Sequence, residues 1–200
     1  MSRDLLPFLW ICGPSGVGKS SVGWEVFTRI RAQGQTAGYI DSDQMGFCLP
    51  EPADDPRNYR LRSRNLGAMV PNFVDAGARC MVASGLLETP DAVETFNAAL
   101  PGARFVVCRL RASPATLRER VFLRGQGGGP QLPGDQELTG ATVARLTEVV
   151  EHSVAVSEAM ERKGIGDFSV DTDGLSVQEV AGEILQRARE LRLFTVPTRP

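Results

Sequence analysis

The most constraining feature of the sequence is the segment 13–20, which reads GPSGVGKS. This pattern, G-x-x-x-x-G-K-S, follows a short apolar run at residues 8–12 and precedes a segment in which Val22, Val26 and Ile30 recur at helical spacing. A strand, a glycine-rich turn and a helix in this order form a loop whose backbone N–H groups can surround a phosphate. The segment therefore predicts an α/β fold built around a phosphate-binding loop.

The residue types of this loop suit a nucleoside triphosphate with Mg²⁺. Its glycines allow the backbone to bend sharply and approach the phosphates, and the following helix directs the positive end of its dipole at them. The Lys19 ammonium can reach the β- and γ-phosphates, and the Ser20 hydroxyl can ligate Mg²⁺. The predicted nucleotide contacts are Gly13, Ser15, Gly16, Val17, Gly18, Lys19, Ser20 and Ser21.

Length, charge and cysteine usage exclude several other classes of protein. A chain of 200 residues suits one domain, which we expect over residues 1–194, with a flexible tail at 195–200. The net charge of −2 argues against a general nucleic-acid or membrane-surface binder, and no apolar run is long enough to span a membrane. The four cysteines show no C-x-x-C spacing, which favours small apolar fillers in a reducing, cytoplasmic compartment.

Strand and helix patterns alternate along the chain after the loop. Apolar runs predict further strands at residues 36–40, 78–83, 104–110 and 168–170. Periodicity and capping residues predict helices at 58–76, 89–100, 113–124, 139–163 and from 176 onward. We expect Pro71 to bend or interrupt its helix, Trp10 and Trp24 to lie in the core, and the glycine-rich stretch at about 125–138 to form a mobile lid. The alternation predicts a three-layer α/β fold, with a five-stranded parallel sheet covered by helices on both faces.

Two carboxylates, Asp41 and Asp43, follow the second predicted strand. The third and fourth strands do not end in an acid and the chain has no N-K-x-D motif, which argues against motor ATPases and GTPases. Ligands gather at the carboxyl ends of parallel strands. Asp41 could therefore hold Mg²⁺ through water, while Asp43 accepts a proton or hydrogen bond from an acceptor hydroxyl. Alternatively, the pair could only cap the segment that follows.

The phosphate loop followed by D-S-D-Q at residues 41–44 resembles shikimate kinase. More broadly it is similar to the small-metabolite kinases with the P-loop NTPase fold, namely gluconate kinase, chloramphenicol phosphotransferase, adenylylsulfate kinase and the nucleoside monophosphate kinases. The resemblance implies a single P-loop kinase domain that uses ATP and Mg²⁺, with Ser20 and Asp41 at the metal. It assigns catalysis to Lys19, Asp43 and Arg124, and it places Arg120, Asp171 and Thr172 around the adenine.

The acceptor side departs from the shikimate kinase pattern. Gly85 stands alone after the third strand, where that family has three glycines, and the basic-proline lid motif is absent. Arg60 and Arg64 share a predicted helical face and could clamp an acceptor carboxylate or phosphate, although a solvated arginine face is the alternative. The predicted contacts of the acceptor, a small molecule with a free hydroxyl, are Asp43, Arg60, Arg64 and Gly85.

Three functions are compatible with these features. The first, favoured by the acidic pair, is an ATP- and Mg²⁺-dependent phosphotransferase acting on a hydroxyl of a small metabolite or antibiotic-like molecule. The second is a nucleoside monophosphate or adenylylsulfate-type kinase, in which Arg60 and Arg64 would hold the acceptor phosphate. The third is an ATP-binding regulatory protein without transfer chemistry. The sequence specifies neither the acceptor nor an oligomeric state.

Overall fold

The computed structural model describes residues 5–129 and 138–194 of the chain. Its strands are β1 (Leu6–Cys12), β2 (Ala37–Asp41), β3 (Cys80–Ser84), β4 (Ala103–Arg111) and β5 (Phe168–Asp171). Its helices are α1 (Lys19–Ala32), α2 (Tyr59–Asp75), α3 (Pro90–Ala98), α4 (Pro114–Gly125), α5 (Val143–Arg162) and α6 (Val177–Glu190). A 3₁₀ turn, Ser42–Gln44, follows β2. The predicted alternation of strands and helices is therefore confirmed.

The strands form one parallel sheet in the order β2-β3-β1-β4-β5. Ile11 of β1 is paired in register with Ser84 of β3, and Cys12 with Arg109 of β4. Because neighbouring strands run the same way, their carboxyl ends meet at one edge of the sheet. The phosphate loop after β1 and the acidic turn after β2 consequently lie on the same side of the molecule.

Each face of the sheet carries its own apolar core. Leu9 and Ile11 of β1 belong to a cluster that includes side chains of α1 and α6. Phe8 and Trp10 point to the opposite face, where side chains of α2, α3 and α5 cover them. Strands buried on both faces read as continuous apolar runs, which is why β1 was recognisable in the sequence.

The expected position of Trp24 in the core is wrong, and of the bend or interruption expected at Pro71 the interruption is not found. Trp24 is 56% exposed, because the buried stripe of α1 runs through Val22, Val26 and Ile30, and Trp24 lies off that stripe against other aromatic rings. Pro71 does not interrupt α2, which continues through it to Asp75. Proline lacks one amide hydrogen, and at this exposed position the cost is one helical hydrogen bond, which the rest of the helix tolerates.

The start of α2 is fixed by residues that the sequence pattern did not single out. The Asp55 carboxylate accepts hydrogen bonds from the backbone N–H groups of Tyr59 and Arg60, at 2.8 and 3.0 Å. The Asn58 side-chain amide donates to the carbonyls of Gly46 and Cys48, at 3.2 and 3.0 Å. These bonds tie the loop after the 3₁₀ turn to α2, and so position this helix beside the carboxyl end of β2.

The predicted lid and tail fall largely or wholly outside the described residues, which omit 130–137 and 195–200. Within the described ranges, all four cysteines are free thiols and only Cys48 is exposed. Among the same residues there is no group of three or more His, Cys, Asp or Glu side chains that could hold a metal. None of the described helices has the length and apolar character needed to cross a membrane.

Candidate active site

The loop between β1 and α1 has the backbone geometry that its glycines predict. Gly13, Gly16 and Gly18 have φ angles of 148°, 81° and 103°, which residues with side chains rarely adopt. Helix α1 begins at Lys19, and Gly18 at its N-cap position provides no side-chain capping bond. The first-turn N–H groups of α1 are therefore available to an anion. The Lys19 ammonium donates to the Pro14 carbonyl at 3.1 Å, which keeps it over the loop.

A cleft of about 90 Å³ lies between this loop and the turn after β2. It brings together most of the residues that the sequence predicts for phosphate, metal and acceptor hydroxyl binding. Its lining residues are Ser15, Gly16, Gly18, Lys19, Ser20, Ser21, Asp41, Asp43, Gln44 and Arg124. Two cationic side chains, an uncapped helix start and two carboxylates thus line the same cleft.

Asp41 caps the turn that follows β2, and its place in the cleft is compatible with the metal role that the sequence predicts. Its Oδ1 accepts a hydrogen bond from the Asp43 backbone N–H at 3.0 Å and caps the turn Ser42–Gln44. The same residue lines the cleft together with Ser20. Carboxylate and hydroxyl oxygens are ligands that suit Mg²⁺, which keeps several waters and needs few protein ligands. The residues present therefore fit a hydrated Mg²⁺ beside bound phosphates.

Asp43 is held by an arginine whose role the sequence pattern did not reveal. The Arg62 guanidinium donates from NH1 to Asp43 Oδ1 at 3.0 Å, and the Arg62 side chain is 14% exposed. The aliphatic part of the Arg62 side chain packs directly against Gly46. A Cβ atom at position 46 would lie 2.5 Å from Arg62 Cγ and 2.6 Å from Arg62 Nε. No local signal distinguished Arg62 from neighbouring arginines, because its partner lies 19 residues away along the chain.

The acceptor clamp predicted for Arg60 and Arg64 is not formed in this structure. Arg60 makes two 2.9 Å bonds to the exposed carboxylate of Asp54, and its own side chain is half exposed. Arg64 is exposed, and neither arginine lies among the residues that line the cleft. The two positions are one turn apart in α2, but neither side chain reaches the lining of the cleft.

Gly85 lies at the end of β3, outside the described lining of the cleft. Its carbonyl accepts a hydrogen bond from Trp10 Nε1 at 3.0 Å, and its N–H donates to the Ile11 carbonyl at 3.1 Å. These bonds fix the chain where it leaves the sheet, next to the acidic turn. Contact of Gly85 with an acceptor stays a prediction.

Arg120 connects the phosphate loop to the far edge of the sheet. Its NH1 donates to the Val17 carbonyl at 3.0 Å and to Thr172 Oγ1 at 2.9 Å, and its NH2 donates to the Thr172 carbonyl at 3.0 Å. Burial removes water from this guanidinium and lowers the pKa of Arg120 below its ordinary value. The Val17 side chain is buried in the core, so its contact with a nucleotide would involve the backbone.

The end of β5 and the residue after it are held by hydrogen bonds to Arg111. The Asp171 carboxylate accepts bonds of 2.8 and 2.9 Å from Arg111. Thr172 is buried and donates from its backbone N–H and its hydroxyl to the Arg111 carbonyl, at 2.9 and 3.0 Å. Arg120, Asp171 and Thr172 thus lie close together, as expected for the side of the site that receives the nucleotide base. Their contact with adenine stays a prediction.

Solved structures of two kinases and of an antibiotic resistance protein have the same fold. A gluconokinase from Sinorhizobium meliloti aligns with a TM-score of 0.60 and 19% identity, over 94% of this chain and 95% of that chain. The Mycobacterium tuberculosis APS kinase, in complex with AMPPNP and APS, gives 0.60 and 18%, over 92% and 98%. The tunicamycin resistance protein of Deinococcus radiodurans gives 0.56 and 19%, over 96% and 98%. At these identities the likeness establishes the fold.

No curated protein matches the chain significantly in sequence. The AAA domain family AAA_33 matches residues 8–152, which include the phosphate loop, both aspartates, Arg62 and Arg124. The match covers well over half of the chain, and the sheet order agrees with the P-loop NTPase fold predicted from the sequence. The chain therefore belongs to the AAA domain family AAA_33 of P-loop proteins.

Proposed function

We propose that the protein is an ATP- and Mg²⁺-dependent phosphotransferase that moves the γ-phosphate to a hydroxyl of a small metabolite or antibiotic-like molecule. The observation that carries this proposal is the composition of the cleft, which Lys19, Ser20, Arg124, Asp41 and Asp43 line together. The gluconokinase among the structural neighbours supports a metabolite acceptor, and the tunicamycin resistance protein supports an antibiotic-like one.

The residues of the cleft divide the work of phosphoryl transfer. ATP would supply the phosphoryl group and Mg²⁺ would offset charge on its phosphate oxygens. The transition state is loose, so the protein mainly positions groups and neutralises charge. Lys19 and Arg124 would neutralise the phosphate oxygens, Ser20 and Asp41 would hold the hydrated Mg²⁺, and Asp43 would bind the acceptor hydroxyl.

The contact with Arg62 gives Asp43 a definite direction. Arg62 donates to one carboxylate oxygen, Oδ1, and the second oxygen, which has no hydrogen-bond donor among the described residues, would receive the acceptor O–H. A carboxylate fixed in this way orients the hydroxyl for in-line attack. Because the transition state is loose, such positioning is a main part of the protein's contribution to catalysis. Arg62 is thus a positioning residue for Asp43.

The other two readings have less support in the geometry. The nucleotide-kinase reading relied on Arg60 and Arg64 to hold an acceptor phosphate, and Arg60 is instead bound to Asp54. A regulatory ATP-binding protein has no need of an acid directed into the phosphate cleft, whereas Asp43 lines it. We therefore propose alcohol phosphorylation alone.

The test is ADP release from ATP and Mg²⁺ with a panel of alcohols, comparing the wild type with Asp43→Asn. We expect the substitution to lower kcat by about 10²–10⁴-fold, the usual size of such a contribution, while the ATP affinity measured by calorimetry stays unchanged. Asp75→Asn, at an exposed position at the end of α2, is the matched control. Equal activity of Asp43→Asn and wild type, or ATP binding without ADP release for every alcohol, would contradict the proposal.

A further inference from the structure

A second cavity, of about 460 Å³, lies beside the phosphate cleft between β2 and α2. Its lining residues are Tyr39, Ile40, Asp41, Gln44, Met45, Asn65, Ala68 and Met69. Asp41 and Gln44 border both spaces, so the cavity and the phosphate cleft adjoin at the end of β2. A volume of this size is within the range of small-molecule binding sites.

The lining of this cavity is chemically unlike that of the phosphate cleft. Lys19 and Arg124 line the cleft, whereas no lysine or arginine lines the cavity within the described residues. The Tyr39 hydroxyl is bonded to Ser84 Oγ at 2.9 Å and donates to the Ser20 carbonyl at 3.2 Å, so it is already occupied within the protein. Two methionines, one isoleucine and one alanine are among the other lining residues.

Polar groups around the cavity are few and partly occupied. The Asn65 amide donates to the Met45 carbonyl at 2.6 Å, which links α2 to the segment after the acidic turn. Two arginines of α2 bind carboxylates of the protein, Arg60 at Asp54 and Arg62 at Asp43, while Arg64 is exposed and does not line the cavity. Because no lysine or arginine of the described residues lines the cavity, an anionic group placed in it would lose water without a cationic partner in the lining, whereas an apolar group would gain from burial.

The position of the cavity in the fold places it on the side opposite the expected nucleotide base. β2 forms one edge of the sheet and β5 forms the other. Thr172, which follows β5 and binds Arg120, lies on the side where we expect the base. Phosphoryl transfer is in line, so the donor and the acceptor approach from opposite sides of the transferred group. The cavity at the β2 edge is therefore on the acceptor side.

We propose that this cavity binds the apolar part of an uncharged alcohol, whose hydroxyl reaches Asp43 past Gln44. The inference rests on the proposed function and narrows its acceptors to neutral molecules with an apolar ring or chain. Molecules that carry a carboxylate or phosphate on that part are disfavoured. Met45 and Met69 are then determinants of acceptor specificity.

Methionine methyl NMR tests binding independently of catalysis. The chain has five methionines, of which Met45 and Met69 line the cavity while Met81 and Met160 are fully buried in the core. The full chain, with carbon-13 in its methionine methyl groups, is titrated with benzyl alcohol and with hydroxymethylbenzoate, which adds a carboxylate to the same ring. We expect benzyl alcohol to shift Met45 and Met69, leave Met81 and Met160 unchanged, and bind at least about tenfold more tightly than the acid.

A cavity-filling variant tests the location. Ala68 is an exposed residue inside α2, so Ala68→Trp should fill the cavity without disturbing a core. The matched control is Ala155→Trp, at an exposed position inside α5 that lines neither the cleft nor the cavity. We expect Ala68→Trp to abolish the methyl shifts and raise the KM for benzyl alcohol at least about tenfold, with ATP affinity unchanged. The control should behave as wild type.

The outcomes separate this inference from the proposed function. Methyl shifts that are absent, equal for the two ligands, or retained in Ala68→Trp would overturn the assignment of the cavity. The assignment would be supported if benzyl alcohol shifts the methyl signals of Met45 and Met69 in the wild type and fails to shift them in Ala68→Trp. If that binding is present and no alcohol yields ADP, the cavity assignment stands while the proposed phosphotransferase function fails.

Discussion

The proposed nucleotide side and the proposed acceptor side of the cleft are built in different ways. On the proposed nucleotide side, the backbone of the glycine loop and the start of α1 would supply the binding groups, and Arg120 ties that loop to Thr172. On the proposed acceptor side, the binding group would be the side chain of Asp43, from the turn after β2, held by Arg62 of α2. The first kind of site follows from a local pattern, whereas the second depends on how helices pack.

The difference also appears in charge and polarity. The phosphate cleft has a lysine and an arginine among its lining residues, and the adjoining cavity has mainly apolar side chains. A triphosphate requires fixed donors and positive charge, which hardly vary between members of a fold. An acceptor pocket is shaped by side chains on loops and one helix, so its chemistry can change while the fold is kept.

The largest expected effect concerns the phosphate loop. Lys19→Ala removes the ammonium that neutralises the β- and γ-phosphates, and we expect kcat/KM for ATP to fall by about 10³-fold. The control is Lys163→Ala, which changes the other lysine of the chain, at an exposed position after α5. A decrease of less than about tenfold for Lys19→Ala would mean that the loop backbone alone carries phosphate binding.

The acceptor side is tested by a double-mutant cycle. Arg62→Met releases Asp43 from its partner, and we expect kcat to fall by about 10²-fold, because small misplacements of a reacting group cost this much. Combining it with Asp43→Asn should add little further loss, since both changes act on one interaction. Arg64→Met, on the exposed face of α2, serves as the control. Additive losses of kcat in the double variant would show that Arg62 does not act through Asp43.

Breaking the contact between Arg120 and Thr172 should have a smaller effect, on ATP binding and not on acceptor binding. Arg120→Met removes three hydrogen bonds to Val17 and Thr172, and we expect the KM for ATP to rise about tenfold. The KM for the acceptor should stay unchanged, because the contact lies at the opposite edge of the sheet. Arg118→Met, whose guanidinium lies over the Phe122 ring, is the control. A matching rise in the acceptor KM would show that the two sides are coupled.

The smallest expected effect is a difference in cysteine reactivity between the phosphate-loop side and the acceptor side of the site. Burial raises the pKa of the Cys12 thiol, next to the phosphate loop, to about 12 and that of Cys80 to about 11. The thiolate is the reactive form, and its fraction falls tenfold for each pH unit below the pKa, so both buried thiols are almost fully protonated and unreactive near neutral pH. Cys108 is buried as well, and only Cys48, on the acceptor side, is exposed. Mass spectrometry should find one carbamidomethyl group on the folded chain after iodoacetamide and four on the unfolded chain. A second modification of the folded chain would show that the core opens.

Features set by neighbouring residues were predictable from the sequence. The phosphate loop was recognisable because its glycines and lysine have fixed spacing. The helix caps at Thr89, Ser113 and Ser176 were recognisable because each side chain bonds a backbone N–H three residues later. The alternation of buried strands and helices gave the parallel sheet for the same reason.

Features set by packing between distant residues were not predictable. The sequence could pair Arg60 with Arg64 by helical spacing, but only the rotation of α2 against β2 shows that Arg62 faces Asp43. That rotation also creates the cavity beside Asp41, whose lining residues come from β2, the acidic turn and α2. Local patterns specify which side chains share a face of an element. The direction in which that face points is decided by the burial of the whole core, and so it appears only in the tertiary structure.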